Sequence, residues 1–210
     1  MNISQMFQSY EFLADQADAA FHRMEKEYGT CIRCERYCSD CCHAVFGLFL
    51  IEAAYLKQHF DRLDHQTIKK ALLRCNDTDR ALKRLEIKLR SNEEDAQMQA
   101  YVLARERVRC PLLNDERECI LYPYRPITCR VYGIPTKIHG TARVCGKAKF
   151  KKSESYPAFD LDEVYRNLFT LSREFLESEK AGDPEKASLL ISVSKVISTP
   201  SEDIITEIFG

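Results

Sequence analysis

Nine of the ten cysteines in this 210-residue chain fall into two groups. Cys31, Cys34, Cys38, Cys41 and Cys42 form the first, and Cys110, Cys119, Cys129 and Cys145 the second. A thiolate is a soft ligand suited to zinc or iron-sulfur iron, and closely spaced cysteines on a loop can place two sulfurs on one metal without strain. Cys31 and Cys34, and again Cys38 and Cys41, have the Cys-x-x-Cys spacing that does this. Cys42 follows Cys41 directly. Neighbouring residues rarely ligate one ion, so these two serve different metals, or one is a spectator. The second group is spread more widely and must converge through folded structure. Closing the chain between Cys42 and Cys110 costs about 4 kcal/mol, whereas a bound structural metal returns roughly 10–16 kcal/mol. One inorganic centre shared by both groups is therefore expected to decide whether these loops fold.

Other residues in the two stretches have supporting roles open to them. Arg125 and Arg130 flank Cys129, where guanidinium groups could offset thiolate charge or bond to cluster sulfides. Tyr122 and Tyr132 could shield the centre from water. His43 and His139 could each replace a sulfur, although solvated loop histidines are the simpler reading. Cys75 lies on a helical apolar stripe and reads as a small core hydrophobe. A redox dithiol at one Cys-x-x-Cys is disfavoured, because that motif normally opens a helix in a βαβ setting that the sequence does not show.

These residues must be positioned by helices. From Asn2 to Tyr28, Ile3, Met6, Phe7, Tyr10, Ala14, Ala17, Phe21, Met24 and Tyr28 recur at three- and four-residue steps, which predicts an amphipathic helix stopped at Gly29 and delivering the chain into the first group. The apolar run Ala44–Leu50 leads into a short helix from Ile51 to about Phe60, expected to pack beneath the centre. Between Asp64 and Arg90, Ile68, Leu72, Cys75, Leu82, Leu85 and Leu89 share one face. A further helix from Ala96 to Arg107 would complete an antiparallel hairpin that returns the chain to the first group. The run Lys147, Lys149, Lys151, Lys152 reads as a solvated loop. Beyond it, Leu161, Val164, Leu168, Leu171 and Phe175 predict a helix packed on another helix. Asp183-Pro184 predicts a capped start to the next, and Thr199-Pro200-Ser201-Glu202 predicts a capping box before Ile204, Ile205 and Ile208.

The expected fold is mainly α, a helical domain with a loop-borne cysteine metal cluster and a helical C-terminal extension. The expected division is a cysteine-cluster domain over 1–155, with a hairpin insertion around 64–107, and the extension over 156–210. A formal charge of -1 gives no global attraction to nucleic acid or to an anionic membrane. No window reaches the roughly 18 apolar residues of a membrane span, and the first residues lack a secretory pattern. A cytoplasmic protein is therefore expected, and there clustered thiols point to metal ligation rather than disulfides.

Cys110-Pro111, followed by Cys119-Ile120-x-Tyr122-x-x-Arg125-Pro126-x-x-Cys129-Arg130-x-Tyr132, resembles the signature of the zinc- or iron-chelating cysteine-cluster family, a domain also found in flagellin lysine N-methylases. Cys38-x-x-Cys41-Cys42 is similar to that family's other half, and Leu50 to Leu56 with Glu52 to the helix that follows it. The resemblance covers roughly Cys31 to Cys145 and implies metal chelation. The chain departs from the pattern in the step from Cys34 to Cys38, in the additional Cys31 and in the long insertion from Asp64 to Arg107.

Three functions follow as expectations. The first is an iron-sulfur protein with a redox, accessory or maturation role. The second is a zinc-stapled module whose C-terminal helices bind a protein partner. The third, implied by the resemblance alone, is a methyltransferase-related protein. The seven glycines make neither a Gly-x-Gly-x-x-Gly loop nor a phosphate-binding loop, so no ordinary nucleotide fold is readable. No catalytic constellation is readable either.

Overall fold

The computed structural model describes residues 2–35, 37–179 and 184–204. Its architecture is mainly α, as the periodicity predicts. Helix α1 (Ile3–Tyr28) opens with a capping box, in which Asn2 Oδ1 accepts from Gln5 N at 2.9 Å and Gln5 Oε1 accepts from Asn2 N at 3.0 Å. Met6, Phe7, Tyr10, Leu13, Ala14, Ala17, Ala20 and Met24 form its buried face, whereas Ile3 is exposed. Gly29 ends the helix in the right-handed region at φ -55°, so the stop is not a left-handed glycine cap.

Helix α2 (Leu50–Phe60) is buried on nearly every side and packs against α1. Leu50, Ile51, Ala53 and Leu56 lie in the core, and the charged Glu52 and Lys57 are buried beside them. The long hairpin is α3 (His65–Arg90) followed by α4 (Ala96–Arg105). On α3 the buried residues are Ala71, Cys75, Thr78 and Leu85, while Leu72 is exposed. Cys75 is a core thiol whose Sγ lies 3.5 Å from Ala71 O. Helix α4 stops at Arg105 rather than Arg107, because Glu106 turns extended and the chain then pairs with the first cysteine loop. Val108 N donates to His43 O at 3.0 Å and Cys110 N to Cys42 O at 2.7 Å.

Downstream come the short α5 (Ile127–Val131) and a small sheet of order β2-β1-β3, with β1 (Thr136–Ile138) antiparallel to β2 (Thr141–Arg143) and parallel to β3 (Phe159–Asp160). Helix α6 (Leu161–Glu179) packs on α1 and α2, and α7 (Val193–Ser198) on α2 and α3. Leu161, Leu168, Phe175, Val196 and Ile197 thus join the same core as α1 and α2. The seam on α6 is spent inside the molecule. Leu48 and Ile191 exchange both backbone hydrogen bonds, at 2.8 and 2.9 Å. Gly47 permits that approach, since a Cβ there would lie 2.5 Å from Leu190 Cβ.

The capping box expected at Thr199 is not formed. Thr199 instead closes α7, its hydroxyl is buried without a hydrogen-bond partner, and Pro200 precedes a single 3-10 turn, Ser201–Asp203. Pro184 does open a 3-10 turn, Pro184–Ser188. Asp183, Ile205 and Ile208 lie outside the described residues. Among the described residues, no helix is long and apolar enough to cross a membrane.

Candidate metal centre

The first thiol loop leaves α1 at Gly29 and is folded by local backbone bonds. Cys38 N donates to Glu35 O at 2.9 Å and Cys42 N to Ser39 O at 3.1 Å, ending in a 3-10 turn, Cys41–His43. In the second stretch Asn114 and Glu118 close a tight loop that carries Cys119, with Asn114 N to Glu118 O at 2.9 Å and Glu118 N to Asn114 Oδ1 at 2.7 Å. Pro126 is well suited to begin a helix, and it starts α5, which holds Cys129 between the buried Ile127 and Val131. Cys145 follows the β1–β2 hairpin.

The two stretches meet around a cavity of 630 Å³ lined by Cys34, Cys38, Cys41, Cys42, Cys119, Cys129 and Cys145. A smaller inner cavity of 60 Å³ shares Cys41, Cys42, Cys119 and Cys129 with it and adds Cys110. Cys31 lines neither. Its carbonyl accepts from Lys149 N at 2.7 Å, on the side of Lys151 and Tyr156. Gly133 lets the first loop sit down on the second, because a Cβ there would fall 2.1 Å from Cys34 Sγ.

The sulfurs surround a void rather than a point. Cys41 Sγ and Cys42 Sγ are 4.0 Å apart, and among the described residues no three Cys, His, Asp or Glu side chains form a ready ligand set for one ion. A tetrahedral zinc with bonds near ~2.3 Å would need its sulfurs drawn together, whereas a cluster of several metal and sulfide atoms is held at its rim. The donors at the cavity are thiols, a ligand type common to zinc and to iron-sulfur iron. His43 Nδ1 lies 2.8 Å from Ser39 O, and the ring of His139 is exposed at the β1–β2 turn, so neither histidine lines the cavities.

Burial opposes ionisation across the site. It pushes Cys34 and Cys110 up to about 12 and Cys119 to about 11, with neighbouring thiols adding to each, and it holds Cys129 well above the usual thiol range. Cys41 is the exception. Its sulfur lies 4.0 Å from Cys42 Sγ, and a hydrogen shared between the two lowers Cys41 and raises Cys42 in turn.

Arg125 and Arg130 line the cavity, but their donors go elsewhere. Arg130 is buried and donates to Arg125 O at 2.9 Å, Pro123 O at 2.7 Å and Asp18. Arg125 donates to Tyr122 O at 3.0 Å and Asp18 at 3.3 Å, and lies over the Tyr122 ring at 4.1 Å. Its charge still favours the thiolate forms of Cys41 and Cys119. Asp18 therefore ties α1 to the loop that carries Cys129. Asp18→Ala is expected to cost about 2–3 kcal/mol in denaturant unfolding, less than a fully buried pair because Asp18 is partly exposed.

Residue type and spacing pointed neither to Asp18 on α1 nor to Asp40, inside Cys38-x-x-Cys41. Burial would raise Asp40, but the Cys145 thiol, 3.3 Å away, with Arg107 and Lys147, holds it below the usual carboxylate range. No motif marked either role. Compared with protein-family models, curated proteins and solved structures, the chain gives no match.

Proposed function

We propose that this chain is a metal-binding protein that holds an iron-sulfur cluster through the thiols of its two loops and serves a redox, accessory or maturation role. The observation that carries the reading is the convergence of Cys34, Cys38, Cys41, Cys42, Cys110, Cys119, Cys129 and Cys145 on two cavities that share Cys41, Cys42, Cys119 and Cys129, from stretches separated by a helical hairpin. Bound there, the group would supply electron transfer or Lewis acidity. The resemblance carried by Cys110-Pro111 and by Cys119 to Tyr132 points the same way. A zinc staple is the second reading, favoured by the inner cavity, whose 60 Å³ suits a single ion better than the larger chamber does.

Variants separate the thiols. Cys31→Ser is expected to keep the full metal content of the purified protein, and Cys119→Ser to lose half or more, by elemental analysis of both. Equal metal in the two proteins would remove the cavity as the site.

Loading should also be proton-coupled. Cys34, Cys110, Cys119 and Cys129 have raised pKa values in the metal-free protein, so they are protonated at pH 7 and must give up protons to ligate. Uptake of Fe²⁺ or Zn²⁺ by the metal-free protein is expected to release roughly two to four protons per centre. Affinity then rises with pH. Calorimetry in buffers of different ionisation enthalpy checks the number.

A further inference from the structure

The larger chamber is more than a metal needs. Its 630 Å³ lies within the range of small-molecule sites, about 300–1,000 Å³, and thiols form only part of its lining. Phe21, Tyr37, Tyr122 and Tyr132 add aromatic surface, and Arg33 and Arg117 bring two guanidinium groups. Among the described residues, Arg125 and Arg130 are committed to Asp18 and Arg107 to Asp40. Among the described residues, neither Arg33 nor Arg117 has a carboxylate within ion-pair distance; Arg33 donates only to Ile32 O, at 3.1 Å.

A second observation points to the same place. Tyr37 and Arg117 both have left-handed backbones, at φ 67° and 63°, and the third such non-glycine residue among those described is His139, in the β1–β2 turn. Such strained conformations gather at ligand sites, where the surroundings hold them. Here one lies on each of the two loops that form the chamber.

We propose that this chamber binds a small organic anion with a flat apolar body, its carboxylate held by Arg33 and Arg117 and its body against the tyrosines and Phe21. Guanidinium forks match a carboxylate in two parallel bonds, and aromatic faces accept a flat ligand. That the ligand then lies against a metal centre rests on the proposed function above; the anion site itself does not. Asp18, Glu25, Glu35, Asp40 and Glu118 also line the chamber, Asp18 and Asp40 in ion pairs with arginines, so the sign of the preferred ligand is what the experiment must read.

Benzoate, benzyl alcohol and benzylamine would be titrated by calorimetry into the full chain as purified, with metal content measured on the same samples. Benzoate is expected to bind at least tenfold more tightly than either relative. Arg33→Gln and Arg117→Gln are each expected to weaken it about tenfold, and Arg80→Gln, on α3, to leave it unchanged. Arg117 is exposed, so its substitution spares the fold. Benzoate no tighter than benzyl alcohol, benzylamine tighter than benzoate, or benzoate indifferent to both arginines would overturn the proposal. If that happens in a fully metallated protein, the metal reading stands alone. Arginine-dependent benzoate binding in a protein without metal would support the anion site and sink the metal centre.

Discussion

Cys129→Ser is expected to abolish metal binding and to unfold the region around both thiol loops. A structural metal contributes roughly 10–16 kcal/mol, which rivals the total stability of a domain at about 5–15 kcal/mol. Serine preserves the volume and nearly the shape of the side chain, so packing between Ile127 and Val131 is barely disturbed and the effect isolates the sulfur. The thiol is also placed where its loss is felt most. It faces both cavities from α5, and α5 packs against α1. Circular dichroism should show lost helix and elemental analysis lost metal, with Cys31→Ser as the unchanged control. A stable, fully metallated Cys129→Ser protein would remove Cys129 from the ligand set.

The next largest effect is expected at Glu52. This carboxylate is buried on α2 and accepts from Ile127 N at 3.1 Å, at the start of α5, and from Phe49 N at 3.4 Å. It is thus the link between the core helix and the helix that carries Cys129. Glu52→Leu leaves the buried Ile127 N–H and the partly buried Phe49 N–H without an acceptor and is expected to cost about 2–4 kcal/mol. Glu52→Gln, which keeps an acceptor, should cost less.

The same residue gives the fold a pH dependence. Burial raises Glu52 to about 7, against the partial opposition of the two N–H donors and Arg130. The folded state therefore binds this proton more tightly than the unfolded chain does. Its contribution is complete below the unfolded value, near pH ~4.5, and is lost as pH rises through about 7. The wild type is expected to lose up to about 3 kcal/mol of stability between pH 5 and 8 relative to Glu52→Gln in the same metal state. Parallel pH profiles for the two proteins would show that Glu52 does not titrate in that window.

Much of this fold was legible because its helices obey simple periodicities. The stripe on α1 and the seam on α6 each needed only residue spacing, and the structure buries most of them. Leu72 was misplaced because Ala71 and Thr78 join Cys75 and Leu85 on the core side of α3, and a search for apolar stripes passes over a small alanine and a threonine. The small sheet was missed because its strands run only two or three residues, too short for alternation to register. The convergence of the two thiol groups could be anticipated from chemistry. That Cys31 lies apart could not, since its spacing from Cys34 is as favourable as that of Cys38 from Cys41. Asp18 and Glu52 illustrate the general difficulty. Each sits on a helix where a charge normally means solvent, and only the partner brought from far along the chain, Arg130 or Ile127 N, shows otherwise.

The most direct test of the metal centre is an absorption spectrum of protein purified without oxygen, with iron, zinc and acid-labile sulfide measured on the same sample. A brown protein with broad visible absorption and iron and sulfide in stoichiometric amounts is the expected result. Zinc alone in a colourless protein would replace the cluster with a structural staple. A folded, colourless protein containing no metal would contradict the account.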